Sequence, residues 1–142
     1  DRLKKILDQM GVDHTAYLIH GIRLSYSDDL INKIKSLEPN YHELYEDYDL
    51  NTFISEDIHN EIIEKYYPGI CIINTQSTYN CPLEDMYWFL CLNVYSSGKE
   101  INPDDLIKAL RTPFDKFNEL AKILEPESQN IQPKIHLAHD IW

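Results

Sequence analysis

The sequence is poor in glycine, with four residues among 142, and it is equally poor in motifs that identify a particular chemistry. It contains no phosphate-binding loop, no Gly-x-Gly-x-x-Gly, no Gly-x-Ser-x-Gly and no His-Glu-x-x-His. So few glycines leave little material for a loop that cradles phosphate groups. We therefore predict no cofactor, and we treat enzymatic activity as uncertain and less favoured than a binding function.

Cysteine is also scarce, and its number argues against disulfide bridges. The three residues, Cys71, Cys81 and Cys91, make an odd count and form no Cys-x-x-Cys pair. The chain has no Asn-x-Ser/Thr site for N-glycosylation. This pattern predicts reduced thiols that pack as small apolar groups, in a cytoplasmic protein.

Long apolar runs are missing throughout the chain. No stretch approaches the ~20 apolar residues that a transmembrane helix needs, and residues 1–11 lack the apolar run of a signal peptide. We expect no membrane association and one domain over residues 1–142, which is long enough for a core of its own. Abundant isoleucine, asparagine, lysine and tyrosine, which have AT-rich codons, suggest a low-GC genome such as that of a bacterium, its phage or a parasite. The small size and the lack of motifs suggest an accessory protein, for example of a virus or phage.

Positive charge is absent from one long segment. The chain has a net charge of −11, yet residues 36–64 contain no lysine or arginine and carry most of that negative charge. A polyanion such as nucleic acid, or an anionic membrane surface, would repel such a protein. The sequence therefore disfavours direct nucleic-acid binding and favours a basic protein partner.

The acidic segment also contains regularly spaced tyrosines, which suggests a docking surface. Carboxylates beside rigid aromatic rings would occupy the basic, nucleic-acid-binding surface of another protein. Our first functional hypothesis is therefore a small acidic protein-interaction module, which would act as an inhibitor if it occludes that surface. In the alternative, the tyrosines pack a helix onto the core and the acids are solvated. The predicted partner-binding residues are Tyr41, Glu43, Tyr45, Glu46, Asp47, Tyr48, Asp49, Glu56 and Asp57.

Apolar spacing alternates between helical and strand periods and predicts an α+β fold. We expect a mainly antiparallel sheet of about four strands with helices packed on one face, in the order α-β-α-α-α-β-β-α-β. Pro133 suggests that the last strand lies at a sheet edge or starts late, and Thr112–Pro113 predicts a kink or two consecutive helices. The helices are expected near residues 3–10, 28–37, 41–48, 56–66 and 103–124, and the strands near 15–25, 69–78, 86–96 and 131–142.

One face of this predicted sheet is too aromatic for ordinary solvent-exposed surface. Residues 86–96 are apolar on both sides, which is typical of a central strand that needs cover on both faces. If one side meets the helices, the other must be covered by remaining helices, by a second copy in a homodimer, or by a partner. That second face would contain Tyr17, Ile19, Tyr87, Phe89, Tyr95, His136 and Trp142.

The segment HLAHD, residues 136–140, could hold a metal only if it were helical. Alternation of Ile135, Leu137 and Ile141 favours a strand, in which His136 and Asp140 share a face and His139 points away. One histidine and one aspartate do not complete a zinc site, so we predict no metal. Two alternative functions remain: an oligomeric structural protein, and a small-molecule binder or unrecognised enzyme. The ligand site of the binder or enzyme would contain Arg23, Tyr87, His136 and Asp140.

Overall fold

A computed structural model describes residues 14–45, 56–76, 81, 85–96, 100, 102–111, 114–126 and 132–141. These residues form four strands and five helices. The strands are β1 (His14–Leu24), β2 (Cys71–Thr75), β3 (Tyr87–Ser96) and β4 (Lys134–Ile141). The helices are α1 (Asp28–Ser36), α2 (Tyr41–Leu44), α3 (Glu56–Tyr66), α4 (Pro103–Arg111) and α5 (Asp115–Leu124).

The strands form one antiparallel sheet in the order β2-β3-β1-β4, so the predicted fold class and element order are confirmed. The last strand lies at an edge, as Pro133 suggested. The predicted helical stretch over residues 103–124 is divided into α4 and α5, one of the two forms that the sequence allowed. The helix expected near residues 3–10 lies outside the described residues.

Helix α1 illustrates how local sequence sets an element. The Ser27 hydroxyl accepts a hydrogen bond from the backbone N–H of Leu30 at 3.1 Å and caps the helix. Asp28 and Asp29 in the first turn complement the positive end of the helix dipole. Leu30, Ile31 and Ile34 share one buried stripe, so the helix packs against the sheet.

The main core lies between the helices and one face of the sheet. Trp88 and Leu90 from β3 are fully buried there, as are Phe117 and Leu120 from α5. The Trp88 ring stacks on Tyr26, with ring centroids 5.6 Å apart. Because a buried indole removes a large apolar area from water, this cluster supplies most of the hydrophobic stabilisation.

A second, smaller core lies on the opposite face of the sheet. Ile19, Phe89 and Cys91 are buried there, and partly buried neighbours such as Ile73 and Val94 pack against them. This is the face for which the sequence left three kinds of cover open. Since Ile19 and Phe89 are buried within the single chain, neither a homodimer nor a partner is needed to remove them from water.

The two edge strands of the sheet approach each other at one end. Strands β2 and β4 are in contact, and the backbone N–H of Gln76, just after β2, donates a hydrogen bond of 2.9 Å to the carboxylate of Asp140 on β4. In a flat four-stranded sheet these edges would be far apart. The sheet is therefore strongly coiled, with the smaller core on its inner face.

A bulge in β3 explains one error in the predicted faces. The register passes from His20↔Asn93 to Gly21↔Cys91, so Leu92 is an extra residue in β3. An extra residue reverses the alternation beyond it. Val94 therefore joins the smaller core, whereas Tyr95, predicted on the Phe89 face, lies on the opposite face.

Gly21 is the residue in β1 that makes this bulge possible. A Cβ at this position would collide with the carbonyl oxygen of Leu90 and would lie 3.0 Å from the Cα of Cys91. Any side chain would therefore push the two strands apart. The glycine is required here for close backbone approach.

Candidate functional site

The most distinctive surface feature is a cleft of about 560 Å³ alongside β4. Five consecutive residues of β4 line it. Because successive side chains of a strand point to opposite faces, a cavity that touches five in a row runs along the edge of the strand. The lining residues are Arg23, Tyr87, Phe89, Ile135, His136, Leu137, Ala138 and His139.

Arg23 lies at the wall of this cleft on β1. Its guanidinium carbon is 4.3 Å from the centre of the Tyr87 ring, which is a cation–π contact. Tyr87 lies two residues along β3 from Phe89, the cross-strand partner of Arg23. The ion pairs found among the described residues do not include Arg23. The positive charge is therefore held in place by an aromatic ring rather than by a carboxylate.

His136 forms the opposite wall of the cleft. It is half-buried, its imidazole centroid lies 5.3 Å from the Phe89 ring, and it pairs with Ile19 across β1 and β4. The structure thus brings three residues of the alternative ligand site, Arg23, Tyr87 and His136, to one cleft. The period of two in the strands is the signal that placed them on one face.

Asp140, the fourth residue of that predicted site, is not among the residues that line the cleft. Its carboxylate accepts the Gln76 N–H and holds the end of β2 beside β4. The Gln76 side-chain oxygen in turn accepts a 3.3 Å hydrogen bond from the backbone of Cys81. The role of Asp140 in this structure is to fasten the two sheet edges.

Strand β4 exposes apolar side chains on its outer face. Leu137 is 84% exposed and Ile135 is 44% exposed, although both belong to a strand. Among the described residues, β4 forms a strand pair with β1 alone, and β2 approaches its other edge near Asp140 without pairing with it. An edge strand with exposed leucine and isoleucine presents both backbone groups and apolar surface to a partner.

The two histidines of HLAHD point to opposite sides of β4, as strand alternation predicts. His136 contacts Phe89 on the inner face. His139, three residues further along β4, pairs with Ala16. His20 does not meet His139 across the sheet, because it pairs with Ile135. Within the described part of the chain, no group of three or more potential ligands surrounds a metal position.

His20 is a buried core histidine. Its Nδ1 lies 3.4 Å from the side-chain nitrogen of Asn93. Burial disfavours the charged imidazolium and lowers the pKa of His20. This histidine belongs to the sheet rather than to the cleft.

In the acidic segment, two tyrosines pack into the main core. Tyr41 is 3% exposed and Tyr45 is 8% exposed, with ring centroids 5.2 Å apart. A partner would not reach these rings, so for these two residues the packing alternative is the correct one. Tyr48, Glu46, Asp47 and Asp49, together with the side chain of Glu56, lie outside the described residues.

Several acids of the same segment have structural partners. Glu38 is buried and accepts hydrogen bonds from Lys65 Nζ at 2.7 Å and from the Tyr66 hydroxyl at 2.9 Å, and the bond from Lys65 lowers the pKa of Glu38. Glu64 accepts a bond from the backbone N–H of Gly69 at 3.0 Å. Of the predicted partner-binding carboxylates, Glu43 and Asp57 are exposed in the structure.

A second cleft, of about 550 Å³, lies between α1 and α2. Lys35, Glu38, Tyr41 and His42 contribute to its walls. Glu38 is already bound to Lys65, and the Lys35 ammonium lies 5.6 Å from the centre of the Tyr41 ring. Its charged groups therefore have partners within the chain, and this cleft offers less to a ligand than the one along β4.

Sequence reasoning missed that Phe89 and all of residues 135–139 would line one site. The edge position of β4 was predicted, but the coiling that opens a cleft beside it was not.

No helix in the described ranges is long and apolar enough to cross a bilayer. Comparisons with protein-family models, curated proteins and solved structures found no match.

Proposed function

We propose that this chain is a protein-interaction module that binds an extended segment of a partner by strand addition to the free edge of β4. The observation that carries this proposal is the cleft, which touches the consecutive residues Ile135–His139 and so follows the edge of the strand. In strand addition, backbone hydrogen bonds supply affinity and pockets for alternate side chains supply specificity.

The dimensions of the site suit such a partner. Residues 134–139 precede the contact of Asp140 with Gln76, and at ~3.3 Å each they give a free edge of about 20 Å, enough for a segment of five or six residues. The cleft volume of about 560 Å³ falls in the range of sites that hold a few side chains. Leu137, at 84% exposed, would gain the most burial when a strand is added.

The residues of β4 offer little protection against added strands. Edge strands in monomers are commonly guarded by a lysine, a proline or an inward-pointing charge. Here such residues lie only at the ends, Pro133 and Lys134 at the start and Asp140 near the end, and residues 135–139 between them have no formal charge. Such an edge is suited to pairing with a partner.

The acidic segment remains a second hypothesis for the same class of function. It is now less favoured, because Tyr41 and Tyr45 are buried and Glu38 and Glu64 have structural partners. Of the predicted partner-binding residues, Glu43 and Asp57 are exposed and available to a basic partner.

The experiment is a selection followed by mapping. A displayed library of random ten-residue peptides is selected against the whole protein, and the selected peptides are titrated into ¹⁵N-labelled protein. We expect the largest amide shifts, and slowed amide exchange, in residues 134–139. The variant Leu137→Lys adds a charge to the edge at an exposed site and should weaken binding about tenfold or more.

The matched control is Leu110→Lys on α4, which changes a leucine that is 45% exposed and does not line the cleft. It should leave peptide binding unchanged. The proposal is wrong if the library yields no binder, or if the selected peptides shift only amides of α3 and the acidic segment.

A further inference from the structure

We infer that the segment bound on β4 carries a carboxylate side chain that pairs with Arg23, so that the partner is an extended acidic peptide. This inference rests on the proposed function, because it assigns the chemistry of the segment that occupies the same cleft. It is carried by the charges that line the cleft and by the contact between Arg23 and Tyr87.

The cleft has a charge character opposite to that of the whole chain. The sequence contains 24 acidic and 13 basic residues. Yet the ionisable side chains that line the cleft are Arg23, Tyr87, His136 and His139, with no carboxylate among them. The cleft lacks the carboxylates that would attract a basic segment, and the guanidinium of Arg23 favours an anionic group there.

Arg23 is prepared to bind a carboxylate. Its guanidinium lies 4.3 Å from the centre of the Tyr87 ring, and Tyr87 is itself 37% exposed, so this platform opens to solvent. A guanidinium held against an aromatic face keeps its N–H edge available for two parallel hydrogen bonds to one carboxylate. No ion pair among the described residues uses Arg23.

The position of Arg23 also predicts where the acid stands in the bound segment. Gly21 of β1 pairs with Lys134, the first residue of β4, so Arg23 lies two residues beyond the start of β4. Lys134 is exposed at the same end, and alternation places it on the same face as His136. In an antiparallel added strand, this end of β4 meets the C-terminal end of the partner segment. The carboxylate is therefore expected near the C-terminus of the peptide.

The test uses a set of synthetic peptides that differ in one residue. Each has alternating threonine and valine, an acetylated N-terminus and an amidated C-terminus, with glutamate, glutamine or lysine at the position before the last. A fourth peptide carries the glutamate at its second position. Binding is measured as the dissociation constant from amide shifts in residues 134–139 of the whole protein.

We expect the peptide with glutamate near its C-terminus to bind about tenfold more tightly than the glutamine peptide, because the charged acceptor strengthens the bonds to Arg23. The lysine peptide should bind most weakly, and the peptide with glutamate at its second position should lose the advantage. Raising the salt from about 0.05 M to about 0.5 M should shrink the preference, since screening weakens exposed charge pairs.

Substitutions at Arg23 separate recognition from folding. Arg23→Gln should make the glutamate and glutamine peptides bind equally, while the glutamine peptide keeps its affinity. Arg23→Lys keeps the charge but lacks the planar fork, so it should retain only part of the preference. The matched control is Arg111→Gln at the exposed end of α4, which should change nothing. Arg23 is exposed, and the amide spectrum of each variant reports whether its fold is intact.

Each outcome decides between the inference and the function on which it rests. If the glutamate and glutamine peptides bind the wild-type protein equally and still shift β4, the carboxylate inference is wrong and strand addition stands. If no peptide shifts β4, strand addition itself is contradicted. If free glutarate binds as tightly as the glutamate peptide and shifts only the residues around Arg23, the site takes a small dicarboxylate. If Arg23→Gln weakens all peptides equally, Arg23 only shapes the cleft and the inference fails.

Discussion

The two faces of the sheet bury their apolar side chains in different ways. On one face, helices α1, α3 and α5 supply a thick layer, and Trp88, Leu90 and Phe117 are fully buried. On the other face, the coiling of the sheet encloses a small cluster around Ile19 and Phe89. The helices cover β1 and β3 on the first face, but they leave Ile135 and Leu137 of β4 exposed there. Stability is therefore assigned to the centre of the sheet, and binding to the edge of β4.

The adjacent residues Trp88 and Phe89 give the largest test of this difference. Trp88→Ala would leave a large cavity in the main core and should cost about 4 kcal/mol of unfolding free energy. Phe89→Ala should cost less, about 3 kcal/mol, because half-buried neighbours and water can fill the space beside the cleft. Urea denaturation measures both. Equal losses, or a larger loss at Phe89, would contradict the division into a major and a minor core.

Gly21 allows close contact between β1 and β3, which contribute to both cores, so its replacement should destabilise both cores. Gly21→Ala places a methyl group against the Leu90 carbonyl, so we expect a loss of about 3 kcal/mol or more from strand separation. Gly69→Ala is the matched control. Gly69 has φ of 85° with no atom near its missing Cβ, so only the left-handed backbone strain of about 1 kcal/mol applies. Chemical denaturation of the two variants should rank them in that order, and a milder loss at position 21 would remove the argument for close strand contact.

The acid sensitivity of the fold should come from the helix-covered face. His59 on α3 is fully buried, with its ring 5.6 Å from Trp88, and burial, aided by the charge of Lys35, lowers the pKa of His59 to about 4. The unfolded chain takes up this proton near pH 6.5, so stability should fall between about pH 6.5 and pH 4, by about 3 kcal/mol. Below about pH 4 the folded state is also protonated and this contribution is constant.

Unfolding free energies measured across that pH range check the assignment. His59→Gln should flatten the slope between pH 6.5 and pH 4. Glu38 provides a separate signal, because the bond from Lys65 lowers the pKa of Glu38. Its stabilising effect is lost as the pH falls from the ordinary pKa of a glutamate through that lowered value. If His59→Gln left the slope above pH 4.5 unchanged, the titrating group would lie elsewhere.

The smallest expected effect concerns the bond that joins the sheet edges. Asp140→Asn removes the charge of the acceptor for the Gln76 N–H, and it should cost about 1 kcal/mol. Its larger consequence is local: amide exchange should speed up at residues 76 and 138–140. If amide exchange changed uniformly across the sheet, the effect of Asp140 would not be confined to the contact between β2 and β4.

Sequence reasoning predicted the pattern of the sheet better than its shape. The period of two placed Arg23, Tyr87 and His136 on one face, and Pro133 indicated an edge for β4. It failed at Val94 and Tyr95, because no glycine or proline in β3 marks the bulge at Leu92. The residue that permits the bulge is Gly21, on the neighbouring strand. The position of the bulge therefore depends on both paired strands and cannot be predicted from the sequence of β3 alone.

The candidate site was predictable only in part for a related reason. Alternation shows which side chains share a face, but the cleft also depends on how far the sheet coils. The coiling brings Gln76 into contact with Asp140, and no local sequence pattern predicts this contact. In the acidic segment, the helical spacing of Tyr41 and Tyr45 was correct, but spacing alone did not distinguish a packed ring from a docking ring.

The hydrogen bond between Gln76 and Asp140 also bears on how the chain folds. It joins residues that are 64 positions apart, and it forms between the two strands that lie at opposite edges of the sheet. Contacts of such long sequence separation require closure of long loops and slow the folding reaction. Since β2 must pair with β3, and β4 with β1, before these edges can meet, the cleft should be among the last features to assemble. A nascent or partly unfolded chain would then have its main core before it has a binding site.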